Sequence, residues 1–214
     1  MRVAIAGGHG KIALRLTRLL ADHGDAVISL IRNPDHEQDV RDAGGEPALC
    51  DLEEASAQEV AEAIRGADAV VFAAGAGPGS GSERKETMDY GGAAKLIEAA
   101  RADDIPRYVM VSSMGADAEH EGDDTFGAYL RAKGRADAEL QASGLEYTIV
   151  RPGMLTDEAA SGRVHVGDRR AEISRDDVAA VLDVVLHNPA TSGWTFGVTA
   201  GEVPVEEIAS LLSH

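Results

Sequence analysis

A glycine-rich segment near the N-terminus has the residue types and the spacing to hold a phosphate group. It follows an apolar run at 2–6, opens a helix-like run at Lys11, and has the spacing G-x-x-G-x-x-A from Gly7 to Ala13. The first glycine permits a tight turn, Gly10 lets backbone amides approach a diphosphate, and Ala13 lets the helix lie close to the strand. The unpaired N–H groups of the first helical turn then face the anion. The predicted diphosphate site of a dinucleotide comprises Gly7, Gly8, His9, Gly10, Lys11 and Ile12.

Two other interpretations of this glycine segment are weaker. A P-loop requires Gly-Lys-Ser/Thr, with another glycine five residues before its second glycine. Here that earlier position is Ile5, and Lys11 precedes Ile12 rather than a serine or threonine. A purely structural turn would also use these glycines, but the strand–turn–helix context favours nucleotide binding.

The end of the second apolar run indicates which dinucleotide binds. An NAD-preferring site usually has an Asp or Glu there, bonded to the 2′-hydroxyl of the ribose. Here the run ends in Arg32-Asn33, and the planar guanidinium can grip a 2′-phosphate, although a solvated arginine opening a loop is the alternative. Because the chain has a formal net charge of −17, an anionic cofactor needs local positive groups, and we expect NADP rather than NAD. The adenosine side is expected to include Asp51, Leu52, Ala73, Ala74 and Gly75.

A second group of polar residues follows the middle of the chain. Tyr129 and Lys133 lie four residues apart in a predicted helix, so their side chains share one face. Ser112 and Ser113 end the fifth predicted strand, at the edge of the sheet where ligands bind in such folds. A Tyr-x-x-x-Lys match is common by chance, and its position after a serine-bearing strand is what makes it informative.

Together with the glycine segment, this pattern resembles the short-chain dehydrogenase/reductase superfamily. The resemblance extends through most of the chain and indicates the atypical branch of small, NAD(P)H-binding, epimerase/dehydratase-like proteins. Flavin reductases, biliverdin reductases and NADP-sensing regulators are related small members. The segments that carry the resemblance are GGHGKIA, LIRNPDH, CDLEE, VMVSSMGA, YLRAK, YTIVRPG and ISRDDVA.

The resemblance implies roles for several side chains. Tyr129 would be the acid/base that exchanges a proton with a substrate oxygen while a hydride passes between the nicotinamide and the substrate carbon. Lys133 would favour the phenolate form of this tyrosine and bond the nicotinamide ribose, and Ser113 or Ser112 would orient the substrate carbonyl. The position after the two serines, often the reactive serine of the superfamily, holds Met114.

Two further segments receive roles from the same resemblance. Asp89 stands where many members of the superfamily have an Asn that completes a proton relay, and an Asp is usual there in the atypical branch. The segment Pro152-Gly153-Met154 would pass over the nicotinamide, where Pro152 and Gly153 would bring backbone groups to the carboxamide. The residues that follow, 155–173, would close the substrate side.

Strand-like and helix-like segments alternate along the whole chain. Such alternation predicts parallel strands joined by right-handed crossovers, with the ligand beyond the carboxyl ends of the strands. The expected fold is α/β: a three-layer Rossmann fold with a doubly wound, mostly parallel sheet and helices on both faces. Residues 1–214 are expected to form a single domain, with a substrate side built from loops within about 75–84, 114–125 and 154–173. The predicted strands are 2–6, 26–31, 46–51, 67–75, 107–113, 146–153 and 194–199, and the predicted helices are 11–24, 34–44, one starting at Ser56, 85–104, 126–144, 173–188 and 203–214.

Composition excludes several partners and compartments. The chain of 214 residues, 44% of them hydrophobic, can fill one core, but it has no apolar run long enough for a membrane span and no secretion signal. Its single cysteine, Cys50, cannot form an internal disulfide, which favours the cytoplasm. Its acidic surface repels nucleic acid and anionic lipid, so we expect neither as a partner. An acidic, lysine-poor surface also suits high salt, so a halophilic source is one interpretation and a merely acidic protein is the other.

The leading functional hypothesis is an NADP-dependent oxidoreductase or epimerase/dehydratase-like enzyme that acts on a small molecule. The chain is too short for the large C-terminal substrate domain of sugar-nucleotide epimerases, which argues against a sugar nucleotide. The alternatives are a non-catalytic protein that senses NADP(H) for a partner, and an NADPH-dependent flavin reductase, which needs no tyrosine acid. The protein is expected to be a monomer or a small homo-oligomer. No set of His, Cys, Asp and Glu has the sequence spacing of metal ligands.

Overall fold

Parallel strands form most of a nine-stranded sheet in the computed structural model, which describes residues 1–77 and 79–211. The strands are β1 Arg2–Ala6, β2 Ala26–Ile31, β3 Glu46–Leu49, β4 Ala69–Phe72, β5 Arg107–Val111, β6 Glu146–Pro152, β7 Met154–Thr156, β8 Arg163–Val166, β9 Glu172–Ser174, β10 Trp194–Ala200 and β11 Val203–Pro204. The sheet order is β11-β8-β10-β6-β5-β4-β1-β2-β3, and the strands from β10 to β3 are parallel neighbours. The order reverses between β1 and β4, where a dinucleotide binds in folds of this class.

Eight α-helices connect these strands within the described residues. They are α1 Lys11–Asp22, α2 Glu37–Asp42, α3 Ala57–Ile64, α4 Ser82–Arg84, α5 Ala93–Ala102, α6 Thr125–Ala142, α7 Arg175–Leu186 and α8 Ile208–Leu211. A π-helix, Lys85–Gly92, joins α4 to α5, and 3-10 turns occupy Pro34–His36, Pro189–Thr191 and Val205–Glu207. None of the helices in the part of the chain described is long and apolar enough to cross a bilayer.

Two apolar cores on opposite faces of the sheet make the three layers. On one face, Leu16 of α1 and Leu182 of α7 pack in the same cluster as Ile5 of β1. On the other face, Leu96 of α5 and Leu140 of α6 share a cluster with strand side chains such as Phe72. Full burial of a leucine or phenylalanine contributes about 1.5–3 kcal/mol each, so these two clusters supply most of the driving force for folding. The predicted three-layer α/β Rossmann fold is therefore confirmed.

Serine side chains cap the first turns of two of the predicted helices. Ser56 Oγ accepts a hydrogen bond from the Glu59 amide, and the Glu59 carboxylate accepts one from the Ser56 amide at 2.8 Å, which is a complete capping box at α3. Ser174 Oγ accepts a hydrogen bond from the Asp177 amide at the start of α7. These local side-chain contacts could be predicted because they depend on residues only three positions apart.

Several predicted boundaries differ from the structure. The helix expected at 34–44 is a 3-10 turn followed by the six-residue α2, because Pro34 and the Asn33 side chain favour a tighter first turn. The helix expected at 203–214 begins only after strand β11 and a 3-10 turn, and residues 212–214 of that prediction lie outside the described residues. The strands expected at 46–51, 67–75 and 107–113 are shorter, ending at Leu49, Phe72 and Val111.

The segment 154–174 contains strands that the sequence did not predict. β7 and β9 pair in parallel as a separate two-stranded sheet, with Leu155 opposite Ile173, while β8 pairs antiparallel with β10. Strands of three or four residues give too few alternations for a period to be recognised. The two-stranded sheet places Leu155 over the carboxyl end of the parallel strands, where it lines the site described below.

Both outer strands of the large sheet carry a proline. Pro47 lies in β3, opposite Ser29 of β2, and Pro204 lies in β11, opposite Arg163 of β8. The amide of Cys50 bonds back to the Ile31 carbonyl of β2. Because strand residues alternate in direction, the nitrogen of Pro47 points away from β2, toward the open edge.

Candidate active site

The glycine segment forms the tight turn between β1 and α1. Gly7 has φ +78°, and a Cβ at this position would lie 2.6 Å from the Cα of Ala74. A Cβ at Gly8 would lie 2.5 Å from the Cβ of Ser29. Both distances are far below van der Waals contact, so only glycine fits at either position. Gly8 therefore packs against the sheet. Gly7 and Gly10 instead line a cavity that extends from this turn toward the ends of β2 and β3.

The first turn of α1 is left open toward this cavity. Gly10 is the N-cap residue and provides no side-chain cap, and the first turn contains no acidic residue. The first backbone amide to bond back to Gly10 is that of Leu14, at 2.9 Å. Open amides at a helix N-terminus and glycines without side chains are what a diphosphate requires, so the residues present fit the predicted cofactor.

A cavity of about 360 Å³ extends from the glycine turn toward the ends of β2 and β3. It has the place and the depth for the adenosine half of a dinucleotide. It contains most of the residues predicted for this half and adds His36, Arg84 and Met88. The predicted residues that line it are Gly7, His9, Gly10, Arg32, Asp51, Leu52, Ala73, Ala74 and Gly75.

Two arginines stand beside one carboxylate at the outer end of this cavity. Arg32 is about half exposed, and its guanidinium lies 3.6 Å from Glu53. Arg84, which the sequence did not single out, bonds Glu53 at 2.9 Å and also lines the cavity. Burial alone would raise the pKa of Glu53, but hydrogen bonds from Arg84 and Thr87 outweigh it and hold the pKa below its ordinary value. Asn33, predicted to contact the cofactor, instead caps the following turn by accepting the Asp35 amide at 3.0 Å.

His9 and Lys11 make contacts that the sequence did not predict. The imidazole of His9 stacks on that of His36, with ring centroids 3.5 Å apart, and its Nε2 lies 2.7 Å from Asp39. Lys11 Nζ donates to Asp157 at 2.6 Å, and Arg175 donates to the same carboxylate at 2.9 Å. These contacts hold the pKa of Asp157 below its ordinary value, with the hydrogen bond from Lys11 as the largest cause.

A second cavity, of about 760 Å³, continues from the first across the ends of β4 and β5. The two cavities share Ala73, Ala74 and Gly75, so together they form one trough over the point where the strand order reverses. The second cavity is lined by Ile12, Lys85, Asp89, Ser112, Tyr129, Lys133 and Leu155. The predicted tyrosine–lysine pair and Asp89 are therefore brought together in the wall of one cavity.

Lys133 and Asp89 form a buried polar pair in the wall of this second cavity. Lys133 Nζ donates to the Val111 carbonyl at 3.0 Å and lies 3.6 Å from Asp89 Oδ1. Asp89 Oδ2 accepts the Ala76 amide, but its Oδ1 is buried without a hydrogen-bond partner in the described residues. A Cβ at Gly75 would lie 3.1 Å from that same oxygen. Asp89 thus presents an unsatisfied acceptor beside the strand end that lines the cofactor trough.

The two predicted serines face different surroundings. Ser112 Oγ donates to Asp137 at 2.8 Å, and Asp137 also accepts hydrogen bonds from Arg151. Burial raises the pKa of Asp137, against the opposing effects of Ser112 and Arg151. The hydroxyl of Ser112 is thus engaged by Asp137. The hydroxyl of Ser113 makes one long contact, 3.4 Å from the Met114 carbonyl, among the described residues, and Ser113 lines a third cavity beside Tyr129.

The third cavity, of about 580 Å³, lies on the other side of Tyr129. Most of its lining is apolar, and Phe126, Tyr129 and Leu155 belong to both this cavity and the second. Pro152, Gly153 and Met154 line it, but their backbone groups are already paired: Gly153 with Val198, Met154 with Ala171, and Pro152 with Met114. The N–H groups of Gly153 and Met154 are therefore already bonded, and neither is free to make the predicted contact with a carboxamide.

Lys85 is the main candidate site residue that the sequence did not identify. It is buried in the π-helix, donates to the Gly77 carbonyl at 2.9 Å, and lies 5.4 Å from the ring centroid of Tyr129. The π-helix widens the helical turn, which changes the faces that its side chains share. Its proximity to Tyr129 could have been found only from the spatial approach of two helices. Arg84, Phe126 and Leu155 come from loops, helix ends or short strands and were equally hidden.

Known proteins share both the sequence and the fold. Residues 7–189 match the NAD(P)H-binding family. The uncharacterized sugar epimerase YhfK of Bacillus subtilis is 38% identical over 97% of this chain and 98% of its own. A structure from Bacillus halodurans described as an NAD-dependent epimerase/dehydratase has a TM-score of 0.92 and 36% identity, covering 99% of both chains.

A more distant structural match is a reductase. ChuY of Escherichia coli O157:H7, named an anaerobillin reductase, has a TM-score of 0.80 and 25% identity, covering 95% of this chain and 98% of that chain. The fold, the glycine turn and the Tyr129–Lys133 helix are consistent with these matches. The chain therefore belongs to the NAD(P)H-binding, atypical short-chain dehydrogenase/reductase family.

Proposed function

We propose that the protein is an NADP-dependent oxidoreductase or epimerase/dehydratase-like enzyme, with Tyr129 as the acid/base that acts on a small molecule. The observation that carries this proposal is the position of Tyr129, whose side chain lines both the cofactor trough and the adjacent apolar cavity. A residue that exchanges a proton during hydride transfer has to reach both the nicotinamide side and the substrate. Among the described residues, Tyr129 combines that position with a hydroxyl at the end of a long side chain.

The chain's own residues would hold the cofactor in three places. The turn around Gly7 and Gly10 would take the diphosphate on the amides of α1. Arg32 and Arg84 would face the 2′-phosphate of NADP, and Lys133 would lie beside the nicotinamide ribose. When bound, the nicotinamide supplies or accepts a hydride.

Tyr129 would move the matching proton. In the reducing direction, its O–H bond breaks and a new O–H bond forms on the substrate as carbon gains the hydride. Lys85, whose ammonium lies 5.4 Å from the centroid of the tyrosine ring, and Lys133, one helical turn along α6, would supply positive charge to the site during this transfer. Ser113, in the wall of the substrate cavity, would orient the substrate oxygen.

Substitution of Tyr129 by Phe tests this assignment directly. We expect turnover of an accepted carbonyl substrate to fall at least about 10²-fold, because one positioned acid/base contributes about 10²–10⁴-fold. NADPH affinity, measured by fluorescence titration, should stay within about twofold because the phenol is not needed to hold the cofactor. Tyr147→Phe, in β6, is the matched control and should retain turnover.

Assays of this variant and of the wild type also distinguish the two alternative functions. Full activity of Tyr129→Phe toward free flavin would favour an NADPH-dependent flavin reductase, which needs no tyrosine acid. No turnover by the wild type across a carbonyl panel, together with a cofactor-dependent change of oligomer, would favour an NADP(H) sensor. Either result would contradict the role given to Tyr129.

A further inference from the structure

Two helices end side by side at the edge of the molecule opposite the glycine turn. α1 and α7 belong to the same apolar core, and their C-cap residues are His23 and His187. The loop after α1 adds Asp25, and the last turn of α7 adds Asp183. Two imidazoles and two carboxylates therefore meet at a place that the proposed reaction does not use.

The imidazole of His187 lies between two oxygen acceptors. Its Nδ1 is 2.9 Å from the Asp183 carbonyl, and its Nε2 is 2.8 Å from Asp25 Oδ2. A neutral imidazole has one N–H group, so it can donate only one of these two hydrogen bonds. If Nδ1–H is held by the Asp183 carbonyl, then Nε2 carries a lone pair that points toward the carboxylate of Asp25. A cation bound by both atoms, either a second proton on the imidazole or a metal ion beside the pair, would satisfy them.

His23 and Asp183 complete the surroundings. One ligand atom from each of His23, Asp25 and His187 can be chosen so that all three lie within 4.8 Å of one another. Asp183 is buried, with a relative exposure of 8%. Its Oδ1 lies 3.2 Å from His23 Nδ1 and 3.3 Å from His187 Nδ1, yet it has no aligned hydrogen-bond partner among the residues described.

Local charge at this place favours a cation. The carboxyl ends of α1 and α7 each carry a partial negative charge, and the two carboxylates add to it. The positive group facing them is the N-terminal amine of Met1, which lies 2.5 Å from Asp25 Oδ1. The amine occupies one oxygen of Asp25 and leaves Oδ2 directed at His187.

We propose that His23, Asp25 and His187 bind a divalent transition-metal ion of the zinc type, with Asp183 orienting His187 from the second layer. Imidazole nitrogen and carboxylate oxygen are ligands that Zn²⁺ accepts, at about 2.0–2.2 Å. A carbonyl or carboxylate that accepts the other N–H of a ligating histidine is the usual arrangement around such ions. Atoms that share a tetrahedral Zn²⁺ at these bond lengths lie about 3.3 Å apart. The Asp25 and His187 atoms, now 2.8 Å apart, would therefore separate slightly, while His23 would move closer to them. His23 and His187 are exposed and can rotate to allow this.

The metal would join the ends of two helices that are distant in sequence, since 162 positions separate Asp25 from His187. This separation is why the sequence gives no metal-ligand spacing. If the ion binds only the folded chain, it would raise the melting temperature, and the stabilisation would grow with the logarithm of the ion concentration relative to the dissociation constant. The proposal is independent of the cofactor site.

The test uses the full chain after removal of metal with a chelator. Zn²⁺ is titrated by calorimetry and by competition with a chromophoric chelator, and the melting temperature is recorded with and without one equivalent of Zn²⁺. We expect one Zn²⁺ per chain and a higher melting temperature. His23→Ala and His187→Gln should each weaken binding at least tenfold and remove the thermal shift. Circular dichroism of each variant verifies that it is folded.

The matched control is His36→Ala, which alters the stacked pair formed by His9 and His36. It should leave Zn²⁺ binding and the thermal shift unchanged. Absence of Zn²⁺ binding by the wild type would overturn the proposal. Binding that survives both His23→Ala and His187→Gln, or that is lost in His36→Ala, would overturn it as well.

Discussion

At the scale of single residues, Glu53 controls how the two arginines of the adenosine cavity are presented. Arg32 and Arg84 both approach its carboxylate, which lies at the outer end of the cavity. A 2′-phosphate would compete with Glu53 for the same guanidinium groups. With NADP as the proposed cofactor, its affinity would depend on the competition between the Glu53 carboxylate and the 2′-phosphate for these two arginines.

Arg32→Ala is expected to reduce the preference for the phosphorylated cofactor. Loss of one charge-assisted hydrogen bond, worth about 1.5–3 kcal/mol, would weaken NADPH binding by roughly 10- to 100-fold. NADH binding should change little because it has no 2′-phosphate. Paired fluorescence titrations of both cofactors measure this, with Arg41→Ala on α2 as the control. Equal wild-type affinities for NADPH and NADH would contradict the assignment of Arg32.

Glu53→Gln is expected to change both stability and its dependence on pH. The folded pKa of Glu53 is lowered, so its contribution is present above the ordinary glutamate pKa and is lost as pH falls through the folded pKa. The stabilities of wild type and variant, measured by urea unfolding, should therefore differ most near neutral pH and converge once the pH falls below the folded pKa of Glu53. The variant should also bind NADPH more tightly, since it no longer holds the two guanidiniums as strongly. A constant difference in stability at all pH values would argue against this role.

Some residues of the candidate site could be predicted from the sequence and others could not, for physical reasons. Gly7, Gly10 and the Tyr129–Lys133 pair could be predicted because a turn and a helix face are set by local spacing. Lys85 could not, because the π-helix that places it near Tyr129 changes the usual helical period. The hydrogen bond from Ser112 to Asp137, which lies 25 positions away in the sequence, also depends on the tertiary fold and could not be predicted from local spacing.

At the scale of elements, one carboxylate connects three segments around the cofactor trough. Asp157 follows β7 and accepts hydrogen bonds from Lys11 at the start of α1 and Arg175 at the start of α7. The segment 154–174 is also held by the β7–β9, β8–β10 and β8–β11 pairings and by hydrogen bonds from the Ser161 and Gly162 amides to Asp177. The bridge at Asp157 adds two ion pairs to the contacts that hold this segment against α1 and α7.

Asp157→Asn is expected to loosen this segment with little effect on the whole protein. Exposed ion pairs contribute little to stability, so the melting temperature should shift only slightly. Amide hydrogen exchange in residues 154–162 should become several-fold faster, because the bridge to Lys11 and Arg175 is weakened. Glu158→Gln, at the adjacent exposed position, is the control and should leave exchange unchanged. Identical exchange in Asp157→Asn and wild type would exclude a role for the bridge.

At the scale of the whole molecule, the main strands and their parallel direction could be predicted from the sequence pattern, but the strands at one edge of the sheet could not. Alternating strands and helices predicted the seven parallel strands that run from β3 to β10. The short strands β8 and β11 pair across distant positions, and nothing in their local pattern indicates that partner. The net charge of −17 is a second property of the whole molecule, because repulsion acts among acidic groups throughout the chain.

Stability is expected to rise with salt. Repulsion among an excess of acidic groups destabilises the compact state, and screening shortens its range from about 10 Å at 0.1 M to about 3 Å at 1 M. The melting temperature should therefore increase by several degrees between about 0.1 M and 1 M NaCl. Scanning calorimetry at fixed pH measures this, with sucrose at matched osmolality as an uncharged control. A melting temperature independent of NaCl would show that repulsion is a minor term.

The prolines in the two outer strands have a consequence for how copies of the protein can meet. An extended chain that joins a sheet needs a donor at every second residue, and Pro47 removes one from the open side of β3. Pro204 does so within the two-residue β11. Continuous ladders between neighbouring molecules are thereby blocked at both borders, which protects a crowded solution of this protein against fibre-like growth. Any self-association would have to use helices or loops instead.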